Sequence, residues 1–150
     1  RLYWHIRKIV IRHEDADDIL QETFLKIWDA LPQFRGDSAL FTWLYRIATN
    51  EALAHLRKTR NRFFVPWADV ERQLAGSLES DPWFNGNELQ KKFQKAILSL
   101  PEKQRIVFNM RYFDEIPYEQ MAEILKTSEG ALKASFHHAV KKIEKYMEEH

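Results

Sequence analysis

The sequence predicts an all-α protein of two small helical domains joined by a linker. Three observations carry this. Apolar residues recur at spacings of three and four through both flanks of the chain, with hardly any of the period-two alternation that marks strands. The 4 Gly and 5 Pro among 150 residues are few, and Pro101 and Pro117 stand where helices start. The periodicity fails once, in a central stretch where Pro66, Gly76, Ser77, Asp81, Pro82, Asn85, Gly86 and Asn87 gather, and these are turn and breaker residues. The expected division is therefore 1–62, a linker at 63–86, and 87–150.

The first domain is expected to hold helices at Leu2 to Arg12, Asp15 to Leu31 and Ala39 to Arg60. The second is expected to hold helices at Asn87 to Leu98, Pro101 to Phe113, Tyr118 to Leu125 and Glu129 to Glu148. Pro101 and Pro117 suit helix starts, where a missing amide donor is harmless. Ser128 suits the N-cap of the last helix. On the second helix Leu20, Phe24, Ile27 and Leu31 read as the buried stripe, on the third Phe41, Leu44, Tyr45, Ala48, Ala52 and Leu56, and on the last Leu132, Phe136, Ala139, Val140, Ile143 and Met147.

Composition excludes several classes. The chain is 45% apolar and 30% charged, with 23 Lys and Arg against 22 Asp and Glu, which describes a folded chain rather than a disordered one. The absence of Cys removes disulfides, thiolate zinc sites and cysteine nucleophiles, and suits a reducing, cytoplasmic setting. The uncharged stretch Ser38 to Tyr45 falls far short of the roughly 18 apolar residues a membrane span needs, so no membrane insertion is expected. Because Arg1 opens an apolar-periodic run, further residues are expected upstream. Charge is uneven: residues 1–62 carry 11 basic and 8 acidic groups, 63–90 carry 1 and 5, and 91–150 carry 11 and 9. The linker is thus acidic, and it also holds Phe63, Phe64, Trp67, Trp83 and Phe84, which suit a surface, its own or a partner's. No catalytic constellation, metal-ligand set or cofactor motif is present, so no catalysis and no cofactor are expected.

Three faces exceed what a core needs. The helix from Asp15 gathers Asp15, Asp18, Glu22 and Asp29 opposite its apolar stripe, with Leu25 among them and Gln21 and Trp28 at the flank. This fits a basic protein partner or a solvated face, and repels phosphate. The helix from Phe41 leaves Trp43, Arg46, Asn50 and Arg57 together, continued by Lys58, Arg60 and Arg62. A ring, bidentate donors and charge are what unstacked bases require, although packing of Trp43 on a neighbouring helix explains the ring equally well. Upstream, Phe34, Arg35, Gly36, Asp37 and Ser38 form a loop able to line a pocket for one extruded base. Finally, Tyr118 to Leu125, a three-residue turn and the helix from Glu129 match a helix-turn-helix, with Ala122 at the close approach. Its second helix offers Lys133, Ala134, Ser135, His137, His138, Lys141, Lys142 and Lys145 to a major groove.

In order, these residues resemble the extracytoplasmic-function (group four) class of bacterial sigma factors, in the sigma-70 family. The stretch Asp15 to Trp28, then Phe34-Arg35-Gly36, Thr42 to Ala48 with Asn50, and His55-Leu56-Arg57 is similar to sigma region two. Leu100 to Phe108, Arg111-Tyr112, Tyr118 to Leu125, Ser128-Glu129-Gly130 and Phe136 to Ala139 are similar to sigma region four. The resemblance implies a transcription initiation factor that binds core RNA polymerase, recognises promoter DNA and helps melt it, with an anti-sigma factor as a further partner. It implies that Asp15, Asp18, Gln21, Glu22, Leu25 and Trp28 dock on the polymerase. It gives Phe34, Arg35, Gly36, Asp37, Ser38, Trp43, Arg46, Asn50 and Arg57 to the minus-ten element, and Ser128, Glu129, Lys133, Ala134, Ser135, His137, His138 and Lys141 to the minus-thirty-five element. The acidic linker would thread through the polymerase. Ala54, Ala131 and Ala134-Ser135 depart from the usual residues of the family, so base preference does not transfer. A stand-alone helix-turn-helix regulator is the alternative reading.

Overall fold

The computed structural model describes residues 2–10, 12–34, 36, 39–63 and 86–150, with the side chains of 60–63 excepted. Seven α-helices and one short 3-10 turn make up the described residues: α1 (Leu2–Val10), α2 (His13–Ala30), the 3-10 turn Leu31–Gln33, α3 (Leu40–Phe63), α4 (Glu88–Leu98), α5 (Glu102–Tyr112), α6 (Tyr118–Leu125) and α7 (Glu129–Glu149). The expected helices are all present, with ends within a few residues. α2 begins at His13, and α3 runs on through Phe63, the first residue assigned to the linker. The rest of that linker to Asn85 lies outside the described residues.

Local chemistry fixes the ends. Asn87 caps α4 in a reciprocal pair, its side chain accepting from the Gln90 amide at 2.8 Å while Gln90 accepts from the Asn87 amide. Ser128 caps α7 by accepting from the Ala131 amide at 3.2 Å. Pro101 and Pro117 occupy the caps of α5 and α6, where extended backbone feeds the helix and no amide donor is lost. Lys126 closes α6 in the left-handed conformation, φ 55, which turns the chain toward α7.

α1, α2 and α3 pack as one bundle, and α4, α5, α6 and α7 as another. The buried stripes of α3 and α7 follow the pattern expected of them, from Tyr45, Ala48, Ala52 and Leu56 to Leu132, Ala139 and Ile143. The stripe on α2 does not. Its buried residues are Ala16, Ile19 and Thr23, whereas Phe24 is 54% and Leu31 46% exposed. The buried face is rotated by roughly 75° from the one read off the large apolar residues, at about 100° per residue. Small Ala16 and Thr23 let neighbouring helices approach closely, and the Thr23 hydroxyl is satisfied by the Ile19 carbonyl at 2.7 Å.

The two bundles share a core. One apolar cluster runs from Ile6, Ile9, Val10, Tyr45 and Ala48 of the first to Ile106, Val107, Met110, Met121 and Ile124 of the second. α1 meets α5, and α3 lies along α6. Charged groups cross the same seam. Lys8 Nζ donates to Asp114 Oδ1 at 3.0 Å and lies 4.9 Å from the Phe113 ring centre. His5 Nδ1 faces Asp114 Oδ2 at 3.5 Å, and Arg105 Nη2 donates to the Ile9 carbonyl at 3.2 Å. Asp114, His5 and Arg105 are all buried.

Burial pushes the His5 imidazole below its ordinary 6.5, against the upward pull of Asp114, with Lys8 adding to the depression. Burial alone would raise the Asp114 carboxyl, but His5 and Lys8 outweigh it and hold the group below 3.8. Unfolded His5 takes up its proton near pH 6.5 and the folded residue only at lower pH. Its contribution to stability is therefore complete above 6.5 and lost as pH falls below it. Asp114 adds its own loss in stronger acid, below about 3.8. The melting temperature should hold level from pH 8 to 7 and decline from 6.5 to 5. His5→Gln should flatten that decline, and an unchanged slope would assign it to other groups.

Candidate functional site

The outer face of α2 presents a band of apolar and acidic side chains. Leu25 is 61% and Trp28 77% exposed, and Gln21, Asp18 and Glu22 are exposed beside them; only Asp15 is half-buried, 3.6 Å from His55 Nε2. Phe24 and Leu31 extend the band, so four large apolar side chains stand in water on one helix face. The sequence pattern had put two of these inside. Exposed aromatic and leucine side chains next to charge mark a protein contact better than a solvated surface does.

Behind the acids, Asp18, Glu22, Lys26, Glu51, His55 and Lys58 line a groove of about 450 Å³ between α2 and α3. Lys26 donates to Glu51 across it, and that contact raises the lysine above its ordinary value. Neither Glu51 nor Lys26 was among the candidate site residues read from the sequence. The signal for them was the register of opposite charges on adjacent helices, which periodicity alone does not pair.

The loop before α3 brings Phe34 onto Trp43, ring centres 4.9 Å apart and planes 42° apart. Both rings are half-buried, so Trp43 is neither free in water nor part of the core. Gly36 has φ 76, a conformation that favours glycine, and no atom within 4 Å of where a Cβ would stand. Arg35, Asp37 and Ser38 lie outside the described residues. Asn50 and Arg57 are exposed on the side of α3 that carries Trp43. Arg46 is half-buried, and its Nε donates to the Glu123 carbonyl of α6 at 3.3 Å.

α6, the turn Lys126 to Ser128, and α7 form the expected helix-turn-helix. Glu129, Lys133, Ala134, His137, His138 and Lys141 are exposed on α7, and Ser135 is half-buried. Lys133 leans over the Tyr118 ring at 5.8 Å, while Ser128 is engaged in its cap. Between them these residues offer the donors and positive charge that base edges and phosphates take.

Residues 1–62 match the Sigma-70 region 2 family model, and residues 90–143 match Sigma-70, region 4. The chain is 32% identical over 145 residues to the RNA polymerase sigma-H factor of Pseudomonas aeruginosa, a match covering 90% of this chain and 74% of that one. The chain belongs to the sigma-70 family, in its extracytoplasmic-function class. It is also 35% identical over 130 residues to the ECF RNA polymerase sigma-E factor of Escherichia coli K12, covering 80% of this sigma factor and 67% of the relative. Two solved structures share its fold. One is the sigma factor RpoE in complex with the anti-sigma factor NepR from Bartonella quintana, with TM-score 0.74, 21% identity, and coverage of 98% and 89%. The other is CnrH in complex with the cytosolic domain of CnrY, with TM-score 0.69, 22% identity, and coverage of 98% and 80%. Within this sigma factor, α1 to α3 constitute region two and α4 to α7 region four, and the seam between the bundles is a contact between the two regions. Among its described residues, no helix is long and apolar enough to cross a membrane.

Proposed function

We propose that this sigma factor, which binds core RNA polymerase, recognises promoter DNA and assists its melting, divides that work among three faces. The α2 band, Asp15, Asp18, Gln21, Glu22, Leu25 and Trp28, docks on the polymerase, and Phe24 and Leu31 widen it. The loop Phe34 to Ser38 with Trp43, Arg46, Asn50 and Arg57 takes the minus-ten element, stacking an unpaired base so that binding energy supports strand opening. α7 reads the minus-thirty-five element through Ser128, Glu129, Lys133, Ala134, Ser135, His137, His138 and Lys141, its first turns at base edges and its lysines near phosphates. The division follows 1–62, the linker at 63–86 and 87–150. The factor catalyses no reaction itself, works in the cytoplasm, and takes an anti-sigma factor as a further partner, as its structural neighbour RpoE does with NepR.

The observation that carries this reading is the α2 band. An acidic, apolar surface with Trp28 in water is unsuited to DNA and calls for a protein, while two other faces of the same chain suit nucleic acid. Glu22→Lys should reduce affinity for core polymerase by about tenfold or more with the fold intact, since Glu22 is exposed and a reversed charge meets the partner's opposite field. Binding of labelled protein to core polymerase, beside binding to duplex DNA alone, decides it. Unchanged core binding in the variant would remove the docking face. No core binding by the unaltered chain, with firm salt-sensitive binding to duplex, would favour a stand-alone regulator.

A further inference from the structure

α7 meets bases without the side chains that read them most firmly. From Glu129 to Glu149 it holds no Arg, Asn or Gln, the residues whose planar forks make bidentate contacts to guanine or adenine. The cation in its first turns is Lys133, and that ammonium is held 5.8 Å over the Tyr118 ring, where Arg111 also sits at 5.4 Å. Two cations gathered at one ring of α6 suit a phosphate at the groove wall rather than a base edge. Glu129 places a negative charge in the first turn, which the helix dipole favours and a phosphate does not.

The buried side of α7 fixes which residues enter the groove. Leu132, Ala139 and Ile143 are buried. At about 100° per residue the opposite side carries Ala131, Ala134, His138, Lys141 and Lys145 within roughly 80° of one another, all of them exposed. Ala131 to His138 covers roughly 10 Å of helix axis, the length of about three base pairs. Lys141 and Lys145 stand beyond that span, where the helix leaves the base edges. His137 is turned aside by about 100°, its ring 6.0 Å from that of His138. Ser135 is half-buried, and the Ser128 hydroxyl is taken by the Ala131 amide. What faces the bases is therefore two methyl groups and one imidazole.

A methyl group has one complement in the major groove, the C5-methyl of thymine. Set against guanine it leaves N7 and O6 dehydrated and unpaired, which costs more than a missed contact. An imidazole carries its two nitrogens on different sides of the ring, so only one of them meets a base edge. A single donor there fits the N7 acceptor that adenine and guanine share. We infer that α7 selects a minus-thirty-five element of two A·T pairs, their thymine methyls against Ala131 and Ala134, followed by a purine whose N7 accepts from His138, with no bidentate contact to guanine. This rests on the assignment of α7 to that element. His138 is then the polar residue that determines specificity, while the lysines supply affinity without preference.

The test incubates the full chain with a duplex DNA library of randomised centre at low salt, where lysine contacts to phosphate keep binding firm, and sequences what is retained. The enriched duplexes should carry two A·T pairs and a purine. Replacing either thymine with deoxyuridine, which removes the methyl alone, should weaken binding about fourfold, as expected for one buried carbon. Replacing the purine with its 7-deaza analogue should weaken it about fivefold, as expected for one net hydrogen bond. His138→Ala should abolish the 7-deaza loss and keep both deoxyuridine losses, whereas Ala134→Gly should abolish one deoxyuridine loss and keep the 7-deaza loss. Both side chains are exposed, so neither change empties the core. His138→Arg sets a fork at the base edge and should turn the purine preference into a guanine preference of about tenfold or more. A gain shared equally by all duplexes would put that side chain at a phosphate and overturn the inference. Enrichment of G·C pairs throughout the span, or retention without any enrichment, overturns it while keeping α7 on DNA. Failure to retain duplex at low salt overturns the assignment of α7 itself.

Discussion

Ile9→Ala should destabilise the whole molecule in one transition, by about 3 kcal/mol, the middle of the range for emptying a large aliphatic site in a core. For a chain of this size that is a fall of roughly 6 to 12 °C in melting temperature. Ile9 is 1% exposed and sits in the apolar cluster that runs from α1 and α3 into α5 and α6, so the cavity weakens packing on both sides of the seam. Its carbonyl also accepts the Arg105 guanidinium, which fixes α1 against α5 at that point. Regions two and four, joined by that cluster, therefore unfold together. Calorimetry checks this through the agreement of van't Hoff and calorimetric enthalpies. Two resolved transitions, with Ile9→Ala shifting one alone, would show that the regions fold independently and that the common cluster is a contact rather than a core.

That shared core was not legible in the sequence, and the reason is physical. Periodicity reports which side of a helix is apolar, and it placed all seven helices because each has its own stripe, its own cap or a proline at its start. It reports nothing about contacts between residues as distant as Lys8 and Asp114, which are 106 positions apart. The polar members of the seam were harder still. Arg7 and Arg105 are fully buried, and a charged residue gives no burial signal until its partners are known. On α2 the pattern misled in a specific way. Weight on large side chains favoured Phe24 and Leu31, while the close approach was made by Ala16 and Thr23. The two apolar residues left outside widen the exposed band that Leu25 and Trp28 already form on α2, so the mismatch carries functional information. On α3 the opposite happened. Trp43, Arg46 and Asn50 were correctly placed away from the bundle core, but a polar face carries no mark of whether another helix covers it.

Trp43→Ala should reduce promoter opening by roughly ten- to a hundredfold, since stacking one base on an aromatic ring is worth about 1 to 3 kcal/mol. The same change should lower stability by only about 1 to 2 kcal/mol, because the ring is half-buried and its aromatic contact among the described residues is a single pair with Phe34, a kind of pair worth about 0.5 to 1.5 kcal/mol beyond area. The two effects separate the roles. A tryptophan whose work was packing would show the reverse, a loss of 4 kcal/mol or more with opening unaltered in the protein that remains folded. Phe34→Ala provides the second arm. Phe34 holds Trp43 at 4.9 Å and is itself a positioning residue, so its loss should slow opening less than loss of the ring that stacks. Polymerase affinity should stay unchanged in both variants, because neither residue lies on α2. Opening measured by a fluorescent base at the start region, with thermal melting and core binding on the same samples, decides the matter. Equal slowing in the two variants would mean that the Phe34–Trp43 pair acts as a wedge rather than Trp43 as a platform. Bases would then be excluded by the pair's shape rather than held by its π-face, and replacing Trp43 with Leu, which keeps bulk and removes the π-face, should restore most of the rate in that case and little of it otherwise.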